Sequence, residues 1–256
     1  MRGHKAIVSY LVNETGFGEG IGFWGDTTLH LVARKGPEAM VRYLVGEAGA
    51  NKEATNNEGC APLHTAAAYG NEAVVRYLVG EAGANKEARD DLGRTPLHWA
   101  AWEGNEAILW YFVGEAGVDI EAKDLGQQTP LYCATEHEAI VRYLVGEAGA
   151  DLHAKDYKQR TPLHWAAKWS NEAIVRYFIE AGADLEAKDS NQRTPLHWAA
   201  CKGREACVRY LVGEAGANKE ARDIFDETPA QFAAENGHEA VVRILEQDKE
   251  EMKGAN

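Results

Sequence analysis

The chain has 256 residues, of which 45% are hydrophobic and 26% charged, ordinary proportions for a water-soluble globular protein with a sizeable core. Its formal net charge of −13 repels phosphate backbones and anionic lipid, which excludes nucleic acid and membrane surfaces as natural partners and leaves other proteins. No apolar run approaches the roughly 18 residues of a membrane span, and Cys60, Cys133, Cys201 and Cys207 form no CxxC pair, which implies a reducing setting, cytoplasmic or nuclear.

The chain opens without a legible secretory signal at Met1-Arg2-Gly3-His4-Lys5. His4 to Val12 has the apolar spacing of one amphipathic helix and matches only the second helix of the unit described below. Residues 1–22 are therefore expected to be a partial N-terminal repeat followed by a glycine-rich finger. A missing first helix fits either a piece of a longer protein or an abbreviated cap. Gly20-Ile21-Gly22-Phe23-Trp24-Gly25 formally matches GxGxxG. No buried strand precedes it and no Walker lysine accompanies it, so it is read as a finger and not a phosphate cradle.

Residues 23–245 are a tandem repeat. Thr95-Pro96-Leu97-His98 recurs at Thr161-Pro162-Leu163-His164 and Thr194-Pro195-Leu196-His197. Degraded copies stand at Thr27-Thr28-Leu29-His30, Ala61-Pro62-Leu63-His64, Thr129-Pro130-Leu131-Tyr132 and Thr228-Pro229-Ala230-Gln231. Their second residues fall at 28, 62, 96, 130, 162, 195 and 229, which is seven units at spacings of 34, 34, 34, 32, 33 and 34. In each unit a turn opens on an aspartate such as Asp90, and threonine then caps a helix with proline at its first position. Leu97, Ala100 and Ala101 share one face of that helix, the alanines being small so that another helix can approach. Asn105 starts a second helix carrying Ile108, Tyr111 and Phe112, and Gly117 supplies a left-handed stop. An extended stretch such as Asn85 to Ala88 leads to the next turn.

The TPLH tetrapeptide, the alanine pair and the Gly-Ala after the second helix resemble the ankyrin repeat over nearly the whole chain. The resemblance implies an all-α repeat solenoid of ankyrin helix–turn–helix units with β-hairpin fingers, curved and stabilised by neighbour contacts. It also implies a non-catalytic, monomeric scaffold that binds protein or peptide. Three departures stand out. Gly46, Gly80, Gly114, Gly146 and Gly213 are additional to the family pattern, which predicts a distorted last turn of the second helix; the fifth unit, Ile179-Glu180-Ala181-Gly182, lacks the addition. The fourth unit drops two residues between its helices and carries Tyr132 in place of histidine, so it is expected to be the most irregular. Glutamates such as Glu53, Glu87 and Glu186 replace the family's finger asparagine, which puts asparagine hydroxylation in doubt. Residues 246–256 read as a polar C-terminal tail or cap.

Little chemistry survives subtraction of the repeat. The histidine ladder His30, His64, His98, His164 and His197 has a spacing of about 10 Å between layers, whereas zinc needs ligands about 2.0–2.1 Å from one ion. The resemblance instead has each histidine bonding backbone of adjoining loops. Glu72 with Arg76, and its equivalents, are helix-surface pairs. No catalytic set, metal site or cofactor is expected.

What varies between units marks the expected binding surface, the finger tips and the concave groove of units three to six. The residue before the threonine is Arg94, Gln128, Arg160 or Arg193 in those units; the residue after the histidine position includes Trp99, Trp165 and Trp198. These tryptophans either fill space between first helices or line the groove. Trp102 and Trp169 stand where the family has a polar residue facing the groove. With Lys168 and Lys202 they suggest a partner segment carrying carboxylates or phosphates. Trp110, in place of an arginine on the second helix, fits a second contact or a packing accident. Two alternatives remain: a nucleotide or other aromatic ligand stacked on the Trp and Arg residues, and a targeting module cut from a larger enzyme.

Overall fold

Every proline of the TPLH-type tetrapeptides begins a helix, because the ring presets φ and the missing N–H falls where no helical bond is made. The computed structural model describes residues 25–169 and 172–253, with side chains to residue 247. The partial repeat, the glycine-rich finger and the GxGxxG match fall outside these residues, apart from Gly25.

The chain divides into two compact units, the first ending at Leu125 and the second starting at Gly126. The first contains α1 (Thr28–Lys35), α2 (Glu38–Gly46), α3 (Pro62–Ala68), α4 (Glu72–Gly80), α5 (Pro96–Trp102) and α6 (Glu106–Trp110). The second contains α7 (Pro130–Cys133), α8 (Glu138–Gly146), α9 (Pro162–Trp169), α10 (Glu172–Glu180), α11 (Pro195–Cys201), α12 (Glu205–Gly213), α13 (Pro229–Glu235) and α14 (Glu239–Lys253). α14 runs through the segment expected to be a tail, since no glycine or proline interrupts it before Gly254.

Within the first unit the odd-numbered helices pack side by side, as do the even-numbered ones. In the second unit α9, α11 and α13 form the inner row, and α8, α10, α12 and α14 the outer. The alanine pairs make this possible: Ala66, Ala67, Ala100, Ala101, Ala166, Ala167, Ala199 and Ala200 are fully buried. The outer helices contribute the larger core residues, Leu78, Ile108, Phe112, Leu144 and Phe178.

The threonine cap works through histidine. Thr95 donates its N–H to His98 Nδ1 at 3.1 Å, and its hydroxyl lies 2.9 Å from the same nitrogen; Thr161 with His164 and Thr194 with His197 repeat this. The opposite ring nitrogen reaches a carbonyl one repeat on, as in His164 Nε2 to Arg193 O at 3.1 Å. Tyr132 substitutes in the fourth unit by donating its hydroxyl to Ala154 O at 2.8 Å. There α7 has four residues and passes into a 3-10 turn at Ala134–Glu136, where two residues are missing. Asn105 does not cap its own helix with its side chain; its amide donates back to Ala67 O and Ala68 O at 2.7 and 2.9 Å, clasping the preceding repeat.

The additional glycines have the expected effect. In the third unit the helix continues as a π-helical segment over Tyr111–Ala116, closed by Gly117 at φ 62°. In the second unit Ala82 N bonds Tyr77 O and Ala84 N bonds Leu78 O; in the fifth, one residue shorter, Ala181 N bonds Tyr177 O and Ala183 N bonds Phe178 O. The glutamate after the added glycine also gains a partner: Glu115 receives Arg76, which bonds Glu72 at 2.8 Å and lies 4.4 Å above the Tyr111 ring. Arg176 repeats the arrangement with Glu172, Glu214 and Tyr210. The arginines and glutamates are solvated, so their ion pairs contribute little to stability.

The fingers depart from the β-hairpin expected. Among the described residues no strand forms. Asn85 accepts the Glu87 N–H and Ala88 N bonds Asn85 O, so the supposed extended stretch bends into a turn. A second turn follows, closed by Asp90 N to Arg94 O at 3.0 Å. Glutamate at the family's asparagine position joins successive fingers, Glu87 accepting Asp119 N at 2.9 Å.

Candidate functional site

Buried Asp90, Asp156, Asp189 and Asp223 each organise a finger turn through a carboxylate that also sets the tip, and Asn56 does so with its amide oxygen in the second repeat. In the first unit Asp90 Oδ1 accepts the N–H groups of Leu92 and Arg94, and Oδ2 accepts Arg94 Nε at 2.8 Å and Trp99 Nε1 at 3.0 Å. The Arg94 guanidinium is 4.1 Å from the centre of the Trp99 ring. Trp102 ends α5 and is 59% exposed. Arg94 is thus a fixed, neutralised plate and not a free charge.

The second unit gathers most of the residues expected at the binding surface. Arg160 is only 7% exposed, pairs with Asp156 through Nε at 2.7 Å, and lies over Trp165 at 4.6 Å and Trp198 at 5.7 Å. Arg193 pairs with Asp223 of the following repeat at 3.0 Å and stacks on Phe232. Burial alone would raise the Asp223 carboxyl; the N–H groups of Phe225 and Glu227 and the Arg193 guanidinium outweigh it and hold it low. Trp198 donates to Asp189 at 3.2 Å. Trp165 Nε1 is buried with no partner among the described residues, unlike Trp99, which shares Asp90 Oδ2 with Arg94. Gln128 is half-buried just before α7.

Lysines supply the uncompensated charge. Lys168 Nζ lies 5.3, 4.7 and 4.5 Å from the ring centres of Trp165, Trp169 and Trp198, and Lys202 Nζ lies 4.9 Å from Trp169. Among the described residues neither ammonium has an ion-pair partner. Burial first, then Lys202 and Arg160, pushes the Lys168 pKa down. Trp169, 40% exposed, is therefore an indole face carrying two ammonium groups that repel each other.

At the finger tips the expected surface held only the residue before each threonine, not the apolar residues further out in the turn. Leu92, Leu125, Tyr157, Ile224 and Phe225 are more than half exposed there. Apolar residues two or three positions before the residue that precedes the threonine were the available signal, concealed because a helical or strand period does not extend into a turn. Trp110 is 44% exposed on α6. Among the described residues no three His, Cys, Asp or Glu side chains converge as metal ligands, and no helix is long and apolar enough to cross a membrane.

The family model for ankyrin repeats, three copies per match, fits residues 1–90, 48–124, 87–156, 120–189, 148–223 and 186–255. A solved chain described as the ankyrin repeat domain of Bcl-3, a unique member of the IkappaB protein family, is similar at 31% identity and a TM-score of 0.69. The alignment covers 86% of this chain and 98% of that one. A search of curated protein sequences finds no match.

Proposed function

Because the chain belongs to the ankyrin-repeat family, we propose that it is a non-catalytic, monomeric scaffold whose inner helices hold a protein segment bearing carboxylate or phosphate groups. The observation that carries this reading is the pair of ammonium groups, Lys168 and Lys202, over one tryptophan face with no ion-pair partner among the described residues. The burial of Lys168 and its repulsion by Lys202 are a cost to the free protein. An anionic group placed there relieves the repulsion and raises the Lys168 pKa back toward its ordinary value. Exposed indole at Trp169 supplies apolar contact beside the charge, the pairing that anchors protein interfaces. Trp102 offers a comparable face in the first unit.

The test is a fluorescence titration of the intact chain with a glutamate- and phosphoserine-rich peptide, repeated with a glutamine- and serine-substituted control. Binding to the acidic peptide alone, weakened at least about tenfold by Lys168→Gln with Lys202→Gln and also by Trp169→Ala, is the expected result. Equal binding of both peptides, or an unchanged Kd in the variants, overturns the docking assignment.

A further inference from the structure

In the first unit the regular Arg–Trp plug is interrupted. The third repeat fills the space above its first helix with Arg94 stacked on Trp99; the second repeat has Cys60 and Thr65 at those two positions. The result is a cleft of about 280 Å³ bounded by Glu58, Thr65, Tyr69 and Trp99, with Asp26 and Arg34 at one end. That is below the usual volume of small-molecule sites, about 300–1,000 Å³, and suits one long side chain.

Three observations fix the chemistry of what enters. The Thr65 side chain lines the cleft in a residue only 8% exposed, and its hydroxyl has no hydrogen-bond partner among the described residues. Glu58 is exposed at the rim, and its carboxylate has no ion-pair partner among the described residues. Tyr69 is 50% exposed, and it and Trp99 each already carry a guanidinium, Arg34 at 4.7 Å and Arg94 at 4.1 Å. Asp26 is neutralised by Arg34 at 2.9 Å, so the net charge facing the cleft is the Glu58 carboxylate. The Cys60 thiol, pushed up to about 12 mainly by burial and by Asp90, stays neutral and adds no competing charge.

We propose that this cleft is a socket for an arginine side chain of a protein partner, which supplies at the second repeat the guanidinium that Cys60 lacks and lays it beside the Trp99 ring of the third. The guanidinium lies between the Tyr69 and Trp99 rings, donates to Glu58, and reaches the Thr65 hydroxyl oxygen with a further N–H. Arginine fits better than lysine because its planar fork stacks and donates in two directions at once. The socket is independent of the anionic docking spot at Lys168 and Lys202.

The experiment is a two-dimensional NMR titration of the whole chain with N-acetyl-arginine amide, with the citrulline and lysine analogues as controls. Saturable shifts of the Trp99 indole N–H and the Thr65 amide are expected for arginine, with citrulline and lysine each at least about tenfold weaker. Glu58→Gln should weaken arginine by about tenfold. Thr65→Trp with Cys60→Arg should fill the socket and abolish the shifts, whereas Lys168→Gln should leave them unchanged. Absence of saturable shifts, citrulline or lysine equal to arginine, or undiminished binding to Glu58→Gln would each overturn the proposal.

Discussion

His164 shows how one ring couples the fold to pH. Its Nδ1 accepts the Thr161 N–H and its Nε2 donates to the Arg193 carbonyl, which is the neutral tautomer; burial lowers its pKa from 6.5 to about 4. The unfolded chain therefore takes up the proton first as pH falls. Stability is fully present above pH 6.5 and is lost between there and about 4, by roughly 3 kcal/mol from this ring. His30, His64 and His197 are shifted the same way, chiefly by burial, and add to the loss. Urea unfolding at pH 7 and pH 5 should show a clear fall in midpoint; equal midpoints would refute the linkage. Other residue-scale features were not legible in the sequence. Gln127, Gln159, Gln192 and Asp226 adopt left-handed φ of 60–66°, where the second and third fingers use Gly59 and Gly93. Nothing in a glutamine announces that conformation. The pairing of Arg160 with Asp156 and of Arg193 with Asp223 was equally hidden, so the arginine tips read as free charges.

Among the elements, α7 tests the capping mechanism. With Tyr132 in place of histidine there is no Nδ1 for the threonine, and Thr129 Oγ1 is buried without a partner among the described residues. Thr129→Val should therefore leave stability unchanged or raise it slightly, whereas Thr161→Val removes a hydroxyl bonded to His164 and should cost about 1 kcal/mol. Equal losses in chemical denaturation would count against this account of the cap. The helix pairs themselves were readable because threonine, proline, the alanine pair and the terminal glycine each impose a local constraint at fixed spacing. The fingers were misread as extended because Asn85 and Asp90 bond their own backbone, and side-chain turns override the weak strand pattern. Which arginine stacks on which tryptophan depends on positions up to 30 residues away, as with Arg193 and Asp223.

At the scale of the whole molecule, stability in a repeat array is a sum of unit and nearest-neighbour terms. Residues 1–125 and 126–256 are each compact. Expressed separately, each should unfold cooperatively by circular dichroism; a sloping, non-cooperative melt from either piece would show that it cannot stand alone. The seven-unit period made the helical architecture visible from the tetrapeptides, but it could not locate the Lys168 cluster, which exists only where three tryptophans and two lysines of successive repeats meet. The glycine-widened turn has a separate consequence for how such a chain can change. A codon inserted within α4 would swing every later side chain by about 100° and turn core to surface. At Gly80 the added residue is absorbed in one broad loop of backbone, and Leu78 keeps the buried place that Phe178 holds in the unit without it. The array thus carries an expansion joint at each glycine-widened turn, where length can drift by a single codon while the facing of the flanking helices is preserved.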